Sequence, residues 1–190
     1  MTFIQELWLM LASTWIVLEL IIIYKTRVSG DGTGQRGYRS EKLIWWVVVF
    51  SIIGAFGFKQ LHLVQIPINY DLRQLVSFVL MSIGLLIRFS AVKSLGRFFS
   101  TTAVIQTEHL LIEHGLYHFI RHPAYTGLLL SFFATGIAMG DFLALLVLLL
   151  PIAYVLNQRI SVEETLLISY FGKSYQSYML RTKKLIPGLY

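Results

Sequence analysis

Two polar stretches in an otherwise apolar chain carry the side chains able to do chemistry. The first, GLYHFIRHPAYTGLLLSFF (Gly115 to Phe133), sets Tyr117, Arg121, His122 and Tyr125 at the start of a long apolar run. Pro123 suits the first turn of a helix, where its missing N–H costs nothing. Arg121 and His122 then fall at the positive end of that helix, where unpaired backbone N–H groups favour an anion. Tyr117 and Tyr125 can flank a flat ring. These residue types fit a ligand with a carboxylate and an aromatic base, and they fit a plain interfacial anchor equally well. The second stretch, RISVEE, places Arg159 and Glu163 four residues apart on one helix face, with Glu164 beside them. It reads as a salt bridge at a helix mouth, or as a cation for an acidic substrate next to carboxylates for a cationic or ribose-bearing cofactor.

The histidines are a weaker signal. His114, His118 and His122 are spaced i, i+4, i+8 and would share a face of an unbroken helix, as a zinc site requires. Gly115 and Pro123 interrupt such a helix, and HLLIEH (His109 to His114) is one residue longer than the H-x-x-E-H zinc pattern. No metal is expected.

The elements that must position these residues are membrane helices. The chain has 190 residues, 56% of them hydrophobic and 14% charged, whereas soluble domains carry about 25% charged residues. It has no cysteine, which excludes disulfides and thiolate metal ligands. Five segments approach the roughly 20 apolar residues of a span: Gln5 to Tyr24, Lys42 to Phe58, Leu75 to Val92, Ala124 to Met139, and Asp141 to Leu156. The first has an acidic residue before it and no small-residue cleavage site, so it reads as a retained helix rather than a signal peptide. The last two meet at Gly140 and Asp141, a turn that makes an antiparallel hairpin of short helices. The fold class is therefore all-α and polytopic, with about five transmembrane helices and an amphipathic C-terminal helix, in which Val162, Leu166, Tyr170, Phe171, Tyr175, Tyr178 and Met179 recur at helical spacing. The whole chain, 1–190, reads as one membrane-embedded domain. Residues 1–93 form the first three helices, and 94–190 hold the polar segment, the hairpin and the tail.

Orientation follows from lysine and arginine placement. Thirteen lie on one side: Lys25, Arg27, Arg36, Arg39 and Lys42; Lys93, Arg97 and Arg121; and Arg159, Lys173, Arg181, Lys183 and Lys184. Only Lys59 and Arg73 lie opposite. The expectation is an N-terminus outside and the polar segments facing the cytoplasm. Basic flanks on an anionic leaflet account for the net charge of +6 without a nucleic-acid partner. SGDGTGQRGYRS (Ser29 to Ser40) reads as a flexible loop. Its glycines follow a membrane helix rather than a strand, so they are no nucleotide fingerprint. Glu19 and Arg88 fall inside spans at similar depth, where charges pair or face a cavity.

HLLIEHGLYHFIRHPAYTG followed by RISVEETLLISYFGKSYQSYMLRTKKLIPGLY resembles the isoprenylcysteine carboxyl methyltransferase family of integral membrane enzymes. The family pattern runs His-x-Leu-(Val/Ile)-x-x-Gly-x-Tyr, Arg-His-Pro-x-Tyr-x-Gly, a hydrophobic hairpin, Arg-x-x-x-Glu-Glu, and Phe-Gly-x-x-Tyr-x-x-Tyr with a later Ile-Pro. The match covers about residues 95 to 190; the first two helices carry no signature. The resemblance implies S-adenosylmethionine in a cytoplasm-facing pocket. His109, Leu110, Gly115, Tyr117, His122 and Tyr125 would contact the cofactor, and Glu163 and Glu164 would contact it or fix its neighbours. Arg159 would lie near the methyl acceptor, oriented by Glu163, and the acceptor would be a prenylated or otherwise lipophilic carboxylic acid. Two rival readings stand beside it: an amine methyltransferase of phospholipid head groups, disfavoured by a cation beside the acceptor, and a non-enzymatic membrane module. Membrane sterol reductases share related topology, but no nicotinamide-phosphate signature is present.

Overall fold

The computed structural model describes residues 3–26, 35–101 and 109–190, with side chains from residue 43 onward in the second stretch. Among these described residues six helices follow in order: α1 (Phe3–Thr26), α2 (Gln35–Leu61), α3 (Tyr70–Leu95), α4 (Pro123–Met139), α5 (Phe142–Phe171) and α6 (Lys173–Arg181). Short 3-10 turns lie at Gly96–Phe98 and Gly115–His118. α1, α3, α5 and residues Leu43–Leu61 of α2 are long and apolar enough to cross a membrane; α4 is shorter. The expected loop at 29–40 is helical from Gln35 onward, and its earlier residues lie outside the described ones.

Glycine sets the tightest crossing. A Cβ on Gly127 would lie 2.6 Å from the Arg88 amide nitrogen and 2.6 Å from the Gly84 carbonyl oxygen. One on Gly84 would meet the Ser131 hydroxyl at 2.7 Å. The backbones of α3 and α4 therefore touch, as small residues allow between membrane helices. Gly127→Ala should cost about 1–3 kcal/mol by overpacking a rigid backbone contact. Gly57→Ala is the control, because nothing lies within 4 Å of a Cβ there. Denaturation in detergent should separate the two variants; equal stability would contradict the crossing.

Opposite the polar segments, the hairpin between α4 and α5 turns at Gly140, whose φ of +79° suits glycine. Asp141 is buried and caps α5, its Oδ1 accepting from the Ala144 amide at 3.0 Å. Its Oδ2 accepts from the Val64 amide at 3.0 Å, and Ile66 donates to the Gly140 carbonyl at 3.0 Å. One carboxylate thus joins the α2–α3 connection to the hairpin. Between these ends, Trp15, Ala55, Met81, Phe132, Leu148 and Ile152 form the core.

α5 does not stop near Leu156, as its composition suggests, but continues to Phe171. The residues after Leu156 turn polar without losing helix-forming ability. The chain breaks only at Gly172, whose φ of +56° interrupts the helix. α6 then folds back and buries Tyr175 and Tyr178. The amphipathic C-terminal helix is thus two pieces: an extension of α5, and α6.

Candidate active site

The site is assembled where α3 ends, α4 begins and α5 leaves the apolar region. Its frame is the segment Phe119–His122, held against the tail. The Lys183 amide donates to the Phe119 carbonyl at 3.2 Å, the Arg121 amide to the Lys183 carbonyl at 2.8 Å, and the His122 amide to the Lys184 carbonyl at 3.1 Å. Thr126 Oγ1 donates to the Leu185 carbonyl at 2.8 Å, and Tyr178 Oη to the Tyr117 carbonyl at 2.6 Å. α6 and the tail thereby fix the turn that carries Tyr117 and the first turn of α4.

Arg121 belongs to this frame. Its Nε donates to Glu164 Oε1 at 2.8 Å, and its Nη1 to the carbonyls of Thr182 (2.6 Å) and Met179 (3.3 Å). The guanidinium braces the tail, while the residue also lies on the cavity wall. Buried His122 places Nε2 3.2 Å from the same Glu164 oxygen. His114 and His118 are exposed.

A second polar knot faces the cavity. Glu163 Oε1 accepts from Tyr125 Oη at 2.5 Å and from Arg159 Nε at 2.9 Å. Arg159 Nη2 donates to the Thr101 carbonyl at 2.9 Å, and the arginine is 2% exposed. The guanidinium is held at two places by groups on different elements, so its plane is fixed before any ligand arrives. Three aromatic rings surround His109: Phe98 at 4.9 Å, Phe171 at 5.7 Å and Tyr170 at 6.5 Å between centroids. Burial lowers the His109 pKa, favouring the neutral ring, and its Nδ1 is buried without a hydrogen-bond partner among the described residues. Burial likewise raises the Tyr117 and Tyr178 hydroxyls well above their ordinary range, so both remain protonated donors.

These groups line one cavity of about 710 Å³. At one end are His109, Tyr117, His122, Tyr125, Arg159 and Glu163. The rest is a long apolar chamber walled by α1 from Trp8 to Ile23 and by α2 from Ile44 to Phe56, with the inner faces of α4 and α5. Fifteen residues of helix rise correspond to about 22 Å. Glu19 and Arg88 lie in the wall as a forked ion pair, Nε–Oε1 at 2.9 Å and Nη2–Oε2 at 3.0 Å.

Of the residues expected from sequence, His109, Leu110, Tyr117, His122, Tyr125, Arg159 and Glu163 are brought together on the cavity wall. Gly115 and Glu164 lie off it. Gly115 opens the 3-10 turn with a φ of +64°, and Glu164 backs Arg121 and His122. Thr101, Phe98 and Arg88 also line the cavity and carried no motif, and Tyr175, the first tyrosine of the Phe-Gly-x-x-Tyr-x-x-Tyr pattern, lines it too. For Arg88 the intramembrane charge was the available signal.

The isoprenylcysteine carboxyl methyltransferase family model matches residues 75–169. A protein-S-isoprenylcysteine O-methyltransferase of Schizosaccharomyces pombe is 34% identical over 107 residues, 55% of this chain and 45% of that protein. The chain thus aligns with less than half of that relative's length. A probable protein-S-isoprenylcysteine O-methyltransferase of Oryza sativa subsp. indica is 27% identical over 184 residues, 93% of this chain and 96% of that protein. A solved structure of the eukaryotic intramembrane Ras methyltransferase ICMT superposes with a TM-score of 0.57 at 22% identity, covering 85% of this chain and 55% of that one; it shares the fold. With the model spanning half of its length and the helices of a membrane bundle, the chain belongs to the isoprenylcysteine carboxyl methyltransferase family.

Proposed function

We propose that the protein is an integral membrane methyltransferase that esterifies the carboxylate of a lipophilic, prenylcysteine-like acceptor, with S-adenosylmethionine as donor. The observation that carries this reading is the continuity of the cavity, in which a polar cradle opens directly into a long apolar chamber between helices. A water-borne, charged donor and a lipid-like acceptor need such a junction, and a soluble fold does not provide one.

The donor fits the cradle on two observations. His109 sits among three aromatic rings with a buried, unpartnered ring nitrogen, a setting suited to a flat heterocycle. Tyr117, His122 and Tyr125 lie on the same wall, and with His109 and Leu110 they would hold the donor. When bound, the donor supplies an electrophilic methyl group on a sulfonium. The acceptor carboxylate is already ionised at neutral pH, so the protein needs no strong base. Its work is to place the carboxylate and exclude water. Arg159 presents N–H donors to a carboxylate, Glu163 and the Thr101 carbonyl fix its plane, and Tyr125 fixes Glu163. With the polar segments facing the cytoplasm, the donor reaches the cradle from water and the acceptor reaches its chamber from the bilayer.

His109→Ala should weaken donor binding by about tenfold, on the order of 1–2 kcal/mol for one lost polar contact in a buried site. His122→Ala should weaken it similarly by loosening Glu164 and the frame. Calorimetry in detergent reads both, and unchanged affinity in the two variants would refute the cradle. Incubation with radiolabelled donor and a prenylcysteine analogue, a fatty acid or phosphatidylethanolamine tests the reaction. Base-labile methanol release from the first marks the ester, whereas label confined to phosphatidylethanolamine would replace the carboxylate reading with an amine acceptor.

A further inference from the structure

The charge of this protein is concentrated at the end that holds the cradle. Every described carboxylate there is matched to an arginine: Glu19 to Arg88, Glu113 to Arg181, Glu163 to Arg159 and Glu164 to Arg121. Lys25, Lys93, Arg97, Lys173, Lys183 and Lys184 have no carboxylate partner among the described residues. All but Lys184 are exposed. Lys184 and Arg97 rest on neutral groups instead, Lys184 against Asn157 and the Tyr190 ring and Arg97 over Phe98.

Several bonds and chain neighbours bring these cations to the end of the molecule that holds the cradle. Ser100 Oγ donates to the Thr26 carbonyl at 3.5 Å, joining the Lys25 end of α1 to the segment after Arg97. Lys183 is hydrogen-bonded through its backbone to Phe119 and Arg121. Lys173 begins α6 two residues before the cavity-lining Tyr175. The opposite end carries Glu6, Asp71 and Asp141 against Lys59 and Arg73, so the surplus is not spread over the molecule.

We propose that this collar selects acceptors by the charge of the group that precedes the prenylcysteine, favouring acidic or neutral headgroups and rejecting basic ones. The proposal rests on the carboxylate-acceptor reading above. A cleft rimmed by one sign of charge raises the local concentration of the opposite sign and repels its own. The acceptor carboxylate is drawn in, and the ester has lost the charge that the collar holds, which favours product release. A polybasic segment beside the lipidated cysteine brings its charges against lysines that no described carboxylate offsets.

The test uses the full chain in neutral detergent and fluorescent peptides that share one C-terminal prenylcysteine. The two preceding residues are both glutamate, both serine or both lysine. Binding and methyl ester formation are measured at about 0.01 M and about 1 M salt, where the Debye length is roughly 30 Å and 3 Å. The expected order of affinity at low salt is glutamate, serine, lysine, with at least about a tenfold range that collapses at high salt. Lys173→Glu combined with Lys183→Glu should shrink or invert the range. Equal binding of the three peptides, tighter binding of the lysine peptide, or binding of none overturns the proposal. The expected order of binding without ester from any peptide would leave charge selection standing and remove the transfer reading instead.

Discussion

Arg159→Lys should keep the charge at the acceptor and lose about tenfold to a hundredfold in kcat/KM, with little change in donor affinity. The arginine uses Nε for Glu163 and Nη2 for the Thr101 carbonyl, and this fixes the plane of the guanidinium. A lysine has a single nitrogen on a flexible stem and cannot hold both partners while facing the cavity. One misoriented charged hydrogen bond is worth about 1.5–3 kcal/mol, which gives the stated range in rate. Arg159→Ala should be worse, because half-buried Glu163 then loses its cation and keeps the Tyr125 hydroxyl and, at 4.0 Å, the His122 ring. Glu163→Gln should reproduce part of the Arg159→Lys loss by loosening Nε. An amine acceptor predicts the reverse, since removing a cation beside it helps or does nothing. Near-normal methylation of a prenylcysteine acceptor by Arg159→Ala, with donor binding intact, would remove the carboxylate assignment.

The second large effect lies at Glu19 and Arg88. Their fork joins α1 to α3 with side chains only 15% and 9% exposed, and α1 buries no residue besides Trp15. Trp15 adds an edge contact with Phe132 at 5.0 Å, so the ion pair is a principal tie between α1 and the bundle. Arg88 Nη1 also donates to the Ala124 carbonyl at 3.2 Å. Removing one partner of a buried pair costs about 3–5 kcal/mol, because it strands the other charge. Glu19→Ala and Arg88→Ala should each lose stability on that scale, and the double variant should lose clearly less than their sum. Denaturation in one detergent for all four proteins gives the coupling. Strict additivity would show that the pair contributes no energy of its own.

The pairing of Glu19 with Arg88 was legible in sequence because two intramembrane charges at similar depth have few other ways to be satisfied. The spans and the Gly140–Asp141 turn were legible because hydropathy sums over about twenty residues and turn chemistry is local. The bracing role of Arg121 was not legible for the opposite reason. Its partners include the carbonyls of Met179 and Thr182, the latter 61 residues away, and backbone acceptors have no side-chain signature. The end of α5 was also misplaced, since a change from apolar to polar residues marks where a helix leaves an apolar medium rather than where it stops. Gly172 was the real stop, and its positive φ becomes visible only with the fold.

The polar bonds of the cradle run among residues 101–185, whereas the α1 and α2 walls of the chamber contribute mainly apolar surface, with Glu19 tied back to α3. Evolution can therefore act on the two halves separately. A change of size at Ile16, Val48 or Ile52 alters the room available to a lipid tail without breaking a hydrogen bond of the cradle. Such a scaffold can diverge in the lipid it accepts while one donor-binding chemistry is inherited unchanged, and directed evolution of acceptor range would begin on those two helices.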